Sequence, residues 1–297
     1  TVGAMSASED SIFTRPFAPM LFDVVRAPVP YNYRCPLEHE PSACAAHCLE
    51  SLDALLARHG DQVAAVLIEP MLQGAGGMVV WPREYLAGVR RLCDEHGTLL
   101  VADEVLTGFG RTGRLFACEH GPISPDIICL SKALTGGYLP LGATVTTDRI
   151  YQAFLSTDRQ RTFFHGHSFT ANPLACAVAI ASLDLLHDSG ALARVNALEQ
   201  WLRAGLAPLG SLAVVGEVRV IGGVGIVELA TGSAGASGSG YLDDIGPRLT
   251  RAFLERGLLM RPLGNVLYLM PPYVITEAET AWAIEQIAQV VGAIIDP

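Results

Sequence analysis

Apolar runs that are continuous rather than alternating constrain this chain most. Val63-Ala64-Ala65-Val66-Leu67-Ile68 is the first, Thr98-Leu99-Leu100-Val101-Ala102 the second and Ile127-Ile128-Cys129-Leu130 the third. Gly142-Ala143-Thr144-Val145 reads as a fourth. A strand with one wet face alternates apolar and polar residues, whereas a continuous run suits a strand covered on both faces. Between the first two runs Pro82 opens a helix with Leu86, Val89, Leu92 and Cys93 on one face, and Gly97 closes it. Strands interleaved with helices predict an α/β fold with a mostly parallel sheet.

Further helices are expected over about 43–58, from Asn172 (cap) and Pro173 (first helical position) to about 186, and along Val195, Leu198, Leu202 and Leu206. A chain of 297 residues accommodates one large or two ordinary domains. The break is expected near 188, between a large domain (1–188) and a smaller α+β domain (189–297). The second part reads strand, strand, helix, strand, strand, helix. Residues 230–240 read as a Ser/Gly loop, and Thr276 with Glu279 as the capping box of the last helix.

Half the residues are hydrophobic and 17% are charged, which is globular rather than disordered composition. The net charge of −10 argues against nucleic acid or an anionic membrane as partner. Seven cysteines, an odd number, lie partly inside apolar runs, so buried free thiols and a cytoplasmic location are expected rather than disulfides. Cys44, His47 and Cys48 lack a second ligand pair at finger spacing, so no metal is expected there. The start, Thr1-Val2-Gly3-Ala4-Met5, has neither an initiator Met nor a signal-peptide pattern and reads as internal to a longer chain.

In open parallel sheets ligands bind beyond the carboxyl ends of the strands. Glu69 follows the first apolar run, Asp103 the second, and Ser131-Lys132 the third. The twenty basic residues are nineteen arginines and Lys132. Arginine replaces lysine on a wet surface, but not where a neutral amine attacks a carbonyl, because guanidinium keeps its proton. A lone acid at a strand end is usually a helix cap or a loop ion pair. Together with the only lysine it suits imine chemistry: Lys132 as the amine, pyridoxal phosphate as electron sink, and Asp103 holding the ring nitrogen protonated. Gly74-Ala75-Gly76-Gly77, Gly108-Phe109-Gly110-Arg111-Thr112-Gly113 and Thr135-Gly136-Gly137 flank these residues, none at dinucleotide-binding spacing. In His165-Gly166-His167-Ser168 a hydroxyl and the amides of a glycine turn suit a phosphate better than a metal. Arg261, read at the end of a strand through Leu258–Met260, reads by spacing as a solvated charge, though it could fork onto a carboxylate. Arg111 is equally ambiguous, and Tyr268 reads as core.

The runs IEPMLQGAGGM, VADEVLTGFGRTGRLFACEH, PDIICLSKALTGG, FFHGHSFTANPLACAVA and MRPLGNVLYLMPPY together resemble the class III, fold-type-I pyridoxal-phosphate aminotransferases, nearest the biotin-pathway branch. That resemblance implies transfer of an amino group from S-adenosylmethionine to 8-amino-7-oxononanoate. The alternatives it leaves are an aminotransferase of ω-amines or ω-amino acids, and a non-catalytic fragment of the fold. It implies that Lys132 forms the imine and that Asp103 pairs with the pyridinium. His167 and Ser168 would contact the phosphate from a neighbouring subunit, hence a homodimer. Gly166 would lie beside the substrate, Arg261 would clamp its carboxylate, and Tyr268 and Arg111 would line the pocket. Chains of this family begin well before the position matching Thr1, so an N-terminal portion carrying a phosphate-holding Gly-Ser pair is expected to be missing. Leu263 stands where relatives often have an aromatic.

Overall fold

A computed structural model describes residues 1–230 and 245–293. The Ser/Gly loop expected at 230–240 therefore lies, from residue 231 on, outside the described residues. In chain order the elements are α1 (Val2–Ala7), α2 (Pro41–His59), β1 (Ala65–Ile68), β2 (Leu72–Gln73), β3 (Val79–Val80), α3 (Arg83–Glu95), β4 (Leu99–Asp103), β5 (Ile127–Leu130), β6 (Ala143–Thr146), α4 (Asp148–Phe154), α5 (Pro173–Asp188) and α6 (Ala191–Leu206). They continue with β7 (Val215–Ile221), β8 (Val224–Leu229), α7 (Ile245–Glu255), β9 (Val266–Leu269) and α8 (Glu277–Ala293).

The apolar runs form one sheet in the order β1-β4-β5-β6. β4 pairs in parallel with β1 and with β5, while β6 returns antiparallel to β5. This is the mostly parallel α/β sheet expected. Its two faces are not equally covered, which corrects the reading of the first run as buried on both. Val66, Ile68 and Leu100 join the core formed with α2 and α3, including Leu52, Leu56, Leu86 and Val89. Leu67 points the other way and is 50% exposed. Apolar content alone reported that the residues are oily, not that the described chain covers them on each side.

The helix signals act as anticipated. Asn172 Oδ1 accepts the amide N–H groups of Leu174 and Ala175, and Pro173 occupies the first helical position of α5. Gly97, at φ +66°, turns the chain out of α3 and into β4. The Thr276 amide donates to the Glu279 carboxylate and the Glu279 amide donates to the Thr276 hydroxyl, starting α8.

In the second part β7-β8-β9 form an antiparallel sheet that packs with α6, α7 and α8 around Leu198, Leu202, Phe253, Leu267 and Ile287. The expected strand at Leu258–Met260 does not form. Gly257 takes φ +77°, Pro262 has no N–H for a ladder bond, and the ladder with β8 begins only at Val266, after Gly264 at φ +60°. Ile221, Val224, Ile226 and Val266 of this sheet also join the core under α2 and α3, so the two parts share apolar packing. A small third cluster of Phe109, Leu130, Leu134 and Ala179 lies beneath the turn that follows β5.

The β7–β8 turn leans directly on the glycine loop after β4. Gly223 donates its N–H to the Arg111 carbonyl at 2.9 Å. A Cβ built on Gly222, at φ +49°, would lie 2.3 Å from the Thr112 carbonyl carbon and 2.5 Å from the Gly113 nitrogen. Both obstacles are backbone, so no side-chain rotation relieves them. Gly222→Ala is expected to destabilise the fold by more than about 2 kcal/mol, measured as a fall in the urea midpoint at unchanged m-value. Gly292→Ala, with open space around its Cβ and a helical backbone, is the matched control.

Candidate active site

Parallel pairing brings three chain ends to one edge. Ile68 sits opposite Ala102 and Asp103 opposite Cys129, so Glu69 is level with Asp103, and Ser131-Lys132 leave β5 just beyond. The three groups feel one another. Burial raises the Glu69 carboxyl above its usual range; the Gly74 amide opposes the shift, the Asp103 charge adds to it and the Lys132 charge opposes it. The Cys129 thiol is raised by burial and by Asp103. Asp103 Oδ1 accepts the Val105 amide N–H at 3.0 Å, which orients the carboxylate at the strand end.

Lys132 has φ +43°, a left-handed conformation that a non-glycine residue adopts only when its surroundings impose it. The imposing contacts surround the turn. Ser131 Oγ donates to the Leu141 carbonyl at 2.7 Å and Thr135 Oγ1 to the Leu139 carbonyl at 2.6 Å. Ser182 of α5 donates to the Ala133 carbonyl at 3.3 Å. The left-handed Gly136 (φ +61°) ends the turn. Leu134 is buried beneath, while Lys132 itself is exposed.

The glycine loop after Asp103 is built around a residue that the sequence pattern does not single out. Glu104 is fully buried and accepts from the Thr107 hydroxyl (2.7 Å) and from the amides of Ala117 and Cys118 (2.9 Å each). A buried carboxylate is tolerated when its oxygens are filled in this way. Nothing in the pattern of an acid following an acid marks the second as structural. Gly108 passes so close to Glu104 that a Cβ would lie 2.8 Å from its carbonyl oxygen. On the other side, Glu69 Oε2 accepts the Gly74 N–H at 3.0 Å, and a Gly74 Cβ would collide with Leu106. The two glycine loops therefore interlock across Glu69 and Asp103.

Arg111 lies at the end of this loop, over the Tyr273 ring at 4.6 Å, and donates to the carbonyls of Pro271 (3.0 Å) and Gly223 (3.3 Å). Among the described residues it has no carboxylate partner, and burial pulls its pKa below the usual arginine value. Tyr273 donates its hydroxyl to the Phe109 carbonyl at 3.0 Å. The sequence reading singled out Tyr268 from the same stretch. Tyr268 is half-buried on β9 opposite Ile226, packed against the core under α2 and α3, and Tyr273 is the ring beneath Arg111. Arg261 is not at a strand end: it is exposed in the irregular segment before β9. Leu263 bridges Val266 just after it.

The His165–Ser168 segment is exposed, and its hydrogen bonds stay local. The His167 amide donates to Thr170 Oγ1 (2.8 Å), His167 Nδ1 accepts the Phe169 amide (3.1 Å), and the Thr170 amide donates to the His167 carbonyl (2.9 Å). Gly166 has room beside Thr170. Phe164 and Phe169 around it are 83% and 72% exposed. Within this chain none of these hydrogen bonds reaches Lys132 or Asp103. The strand-end trio therefore assembles from one chain, and the histidine–serine turn does not join it.

His120 braces the glycine loop: its Nε2 lies 3.0 Å from the Thr112 carbonyl. Burial lowers its pKa below 6.5, against the pull of that hydrogen bond. The unfolded chain therefore binds the proton more readily than the folded one. The contribution of this ring is complete above 6.5 and falls as the pH drops from there through the depressed folded value. Urea midpoints between about pH 8 and about pH 5 should decline more steeply in the wild type than in His120→Gln.

Known proteins share both the sequence and the fold. The family model described as "Aminotransferase class-III" matches residues 1–291. The adenosylmethionine-8-amino-7-oxononanoate aminotransferase of Nitratidesulfovibrio vulgaris is 44% identical over 296 residues, covering 99% of this chain and 54% of that protein. The crystal structure of the enzyme of that name from Methanocaldococcus jannaschii superposes with TM-score 0.87 at 36% identity, over 99% of this chain and 65% of that one. An amine transaminase from an uncultivated Pseudomonas species, in its pyridoxal-phosphate-bound form, superposes with TM-score 0.82 at 35% identity, over 89% and 60%. The chain thus spans between about half and two thirds of the length of these relatives.

Proposed function

The chain belongs to the class-III aminotransferase family, and from that premise we propose that the whole protein transfers an amino group from S-adenosylmethionine to 8-amino-7-oxononanoate, giving 7,8-diaminononanoate, with pyridoxal phosphate as cofactor. The observation that carries the reading is Lys132: the only lysine, exposed, held at φ +43°, level with two carboxylates at neighbouring strand ends. Strain at a solvent-facing amine has no packing purpose and fits a group aimed at a reacting carbon. The site's residues thus fit the cofactor: one amine for its aldehyde and one carboxylate, Asp103, for its ring nitrogen.

Pyridoxal phosphate, when bound, supplies the electron sink that makes a Cα proton removable. The rest falls to side chains. Lys132 would present the amine, then take the proton from the substrate Cα and return it at C4′ of the cofactor. Asp103, oriented by the Val105 amide, holds the proton on the ring nitrogen. Glu69 keeps the Gly74 loop closed over the same edge. His167 and Ser168 serve the phosphate of a neighbouring subunit in a homodimer. Their exposure and the bare Phe164 and Phe169 beside them support that assignment. Gly166 lies beside the substrate and Arg261 receives its carboxylate. Arg111, half-buried without an acid among the described residues, and Tyr268 complete the wall. A large domain over 1–188 and a smaller one over 189–297 belong to the same proposal, as does a cytoplasmic location, supported by the buried thiols of Cys44, Cys48, Cys93 and Cys118.

The likeness to an amine transaminase favours one rival reading, an ω-amine or ω-amino-acid donor. Half-reactions of the full-length protein separate the two. Loss of the cofactor's absorbance band with S-adenosylmethionine is expected, and a response to ω-amines alone overturns the donor assignment. Borohydride reduction should leave a pyridoxyl tag on Lys132 by peptide mass, and Lys132→Ala should have no turnover. Asp103→Asn removes a contact charge worth about 1–3 pKa units, so the protonated fraction of the ring, and with it turnover, should fall by about ten- to a thousandfold.

A further inference from the structure

Two acids face each other on the second sheet. Glu217 on β7 and Glu228 on β8 stand directly opposite, and Glu228 is buried. Like charges so placed repel, and a buried carboxylate needs its oxygens filled. Arg219, two residues further along β7 and buried itself, answers both. Its Nη1 donates to Glu228 at 2.8 Å, to the Tyr31 hydroxyl at 2.6 Å and to Glu217. Tyr31 in turn donates to Glu228, and Arg34 pairs with the same carboxylate. Desolvation offsets much of the attraction in so enclosed a network, so stability alone is a poor reason for it.

The other arm of the guanidinium reaches outside the network. Arg219 Nη2 donates to the Gly77 carbonyl at 3.1 Å. Gly77 belongs to the β2–β3 hairpin, whose ladder is two residues long: Leu72 opposite Val80 and Gln73 opposite Val79. The backbone of this hairpin is strained. Met71 takes φ +65° and Met78 φ +55°, left-handed conformations for non-glycine residues, and Gly77 takes φ +115°. A ladder this short does not hold such a backbone by itself. The amides of Gly77 and Met78 both donate to the Gly74 carbonyl, at 3.1 and 2.9 Å, and the Gly74 amide donates to Glu69 Oε2 at 3.0 Å. An unbroken run of hydrogen bonds therefore leads from Arg219 through one turn to the acid level with Asp103.

We propose that Arg219 is a positioning residue for the strand-end site: by holding the Gly77 carbonyl it fixes the β2–β3 hairpin, and the hairpin fixes the Gly74 amide on the Glu69 carboxylate. The proposal rests on the reading that Glu69, Asp103 and Lys132 border the reacting centre. Arginine suits the task because its planar fork bonds in two directions at once, to Tyr31 and Glu228 with one nitrogen and to Gly77 with the other. Glu69 is where the effect is felt. Burial raises its carboxyl and the Asp103 charge adds to this; the Gly74 amide and the Lys132 charge oppose it. A hairpin that drifts from Glu69 takes away one of the two opposing influences, so Glu69 would hold a proton at higher pH and withdraw its charge from Asp103 and Lys132.

The test compares the full-length wild type with Arg219→Lys, which keeps a charge beside Glu228 but cannot point one ammonium at Gly77 and Tyr31 together. Two readouts are taken: deuterium exchange of the amides over 71–80, and the pH profile of Glu69 modification by a water-soluble carbodiimide with an added amine, which reacts with the protonated carboxyl. Expected in Arg219→Lys are exchange at least about tenfold faster over 71–80 with α8 unchanged, and a Glu69 profile moved to higher pH. If the lysine variant does not fold, Arg219→Met combined with Glu228→Gln removes both buried charges and takes its place. Arg203→Met deletes a different bond to β7, to the Val220 carbonyl at 2.8 Å, and should move neither readout. Unchanged exchange over 71–80, a Glu69 profile that stays put while exchange quickens, or equal shifts in Arg203→Met each overturn the positioning role. Neither readout requires turnover, so a wild type that transfers no amino group defeats the functional reading without altering this result.

Discussion

With β4 hydrogen-bonded in parallel register between β1 and β5, three chain ends arrive at one edge of the sheet, and the loops of the molecule are arranged around that edge. Parallel strands leave the sheet at the same end, so Glu69, Asp103 and Lys132 become neighbours although more than sixty residues separate the first from the last. An antiparallel pairing of the same runs would have scattered them to opposite ends. β6 does return antiparallel, and it carries none of the three.

Holding that edge rigid takes hydrogen bonds where side chains are small. The left-handed Lys132 is kept in place by the Ser131 and Thr135 hydroxyls and by Ser182 of α5, not by packing of the lysine itself. The glycine loop after Asp103 closes around the buried Glu104 carboxylate, and the β7–β8 turn presses on it from the second sheet through Gly222 and Gly223. Arg111 then spans from that loop to Pro271 across the Tyr273 ring. The site edge is therefore clamped by both sheets. Core residues shared between them, Ile221, Val224 and Ile226 among these, carry the clamp down to α2.

The same core takes in buried thiols. Cys44 and Cys48 pack in the cluster that also contains Leu100 of β4 and Leu86 of α3. The loop that bears Cys35 is anchored at its start by Tyr31 and Arg34 on Glu228, a residue paired in turn with the buried Arg219. A charge network this enclosed holds position more than it adds stability, since desolvation offsets much of its attraction.

Much of this was legible in the residues. Continuous apolar runs with polar termini located β1, β4 and β5, and caps at Asn172, Gly97 and Thr276 set helix ends, because these signals act through atoms a few residues apart. The near absence of lysine singled out Lys132 for the proposed chemistry. What local signals could not reach was decided by contacts distant in sequence. An acid after Asp103 carries no mark that it will be buried; only the returning amides of Ala117 and Cys118 make Glu104 structural. Tyr273 rather than Tyr268 lies under Arg111 because the chain bends after β9. The oily segment at Leu258–Met260 stays irregular because Gly257 and Pro262 deny it a ladder. Sequence by itself determined which residues could carry the proposed chemistry and where the continuous apolar runs form strands, since composition and spacing are local properties. Tertiary structure decided which of those residues meet, since proximity and burial belong to the folded chain.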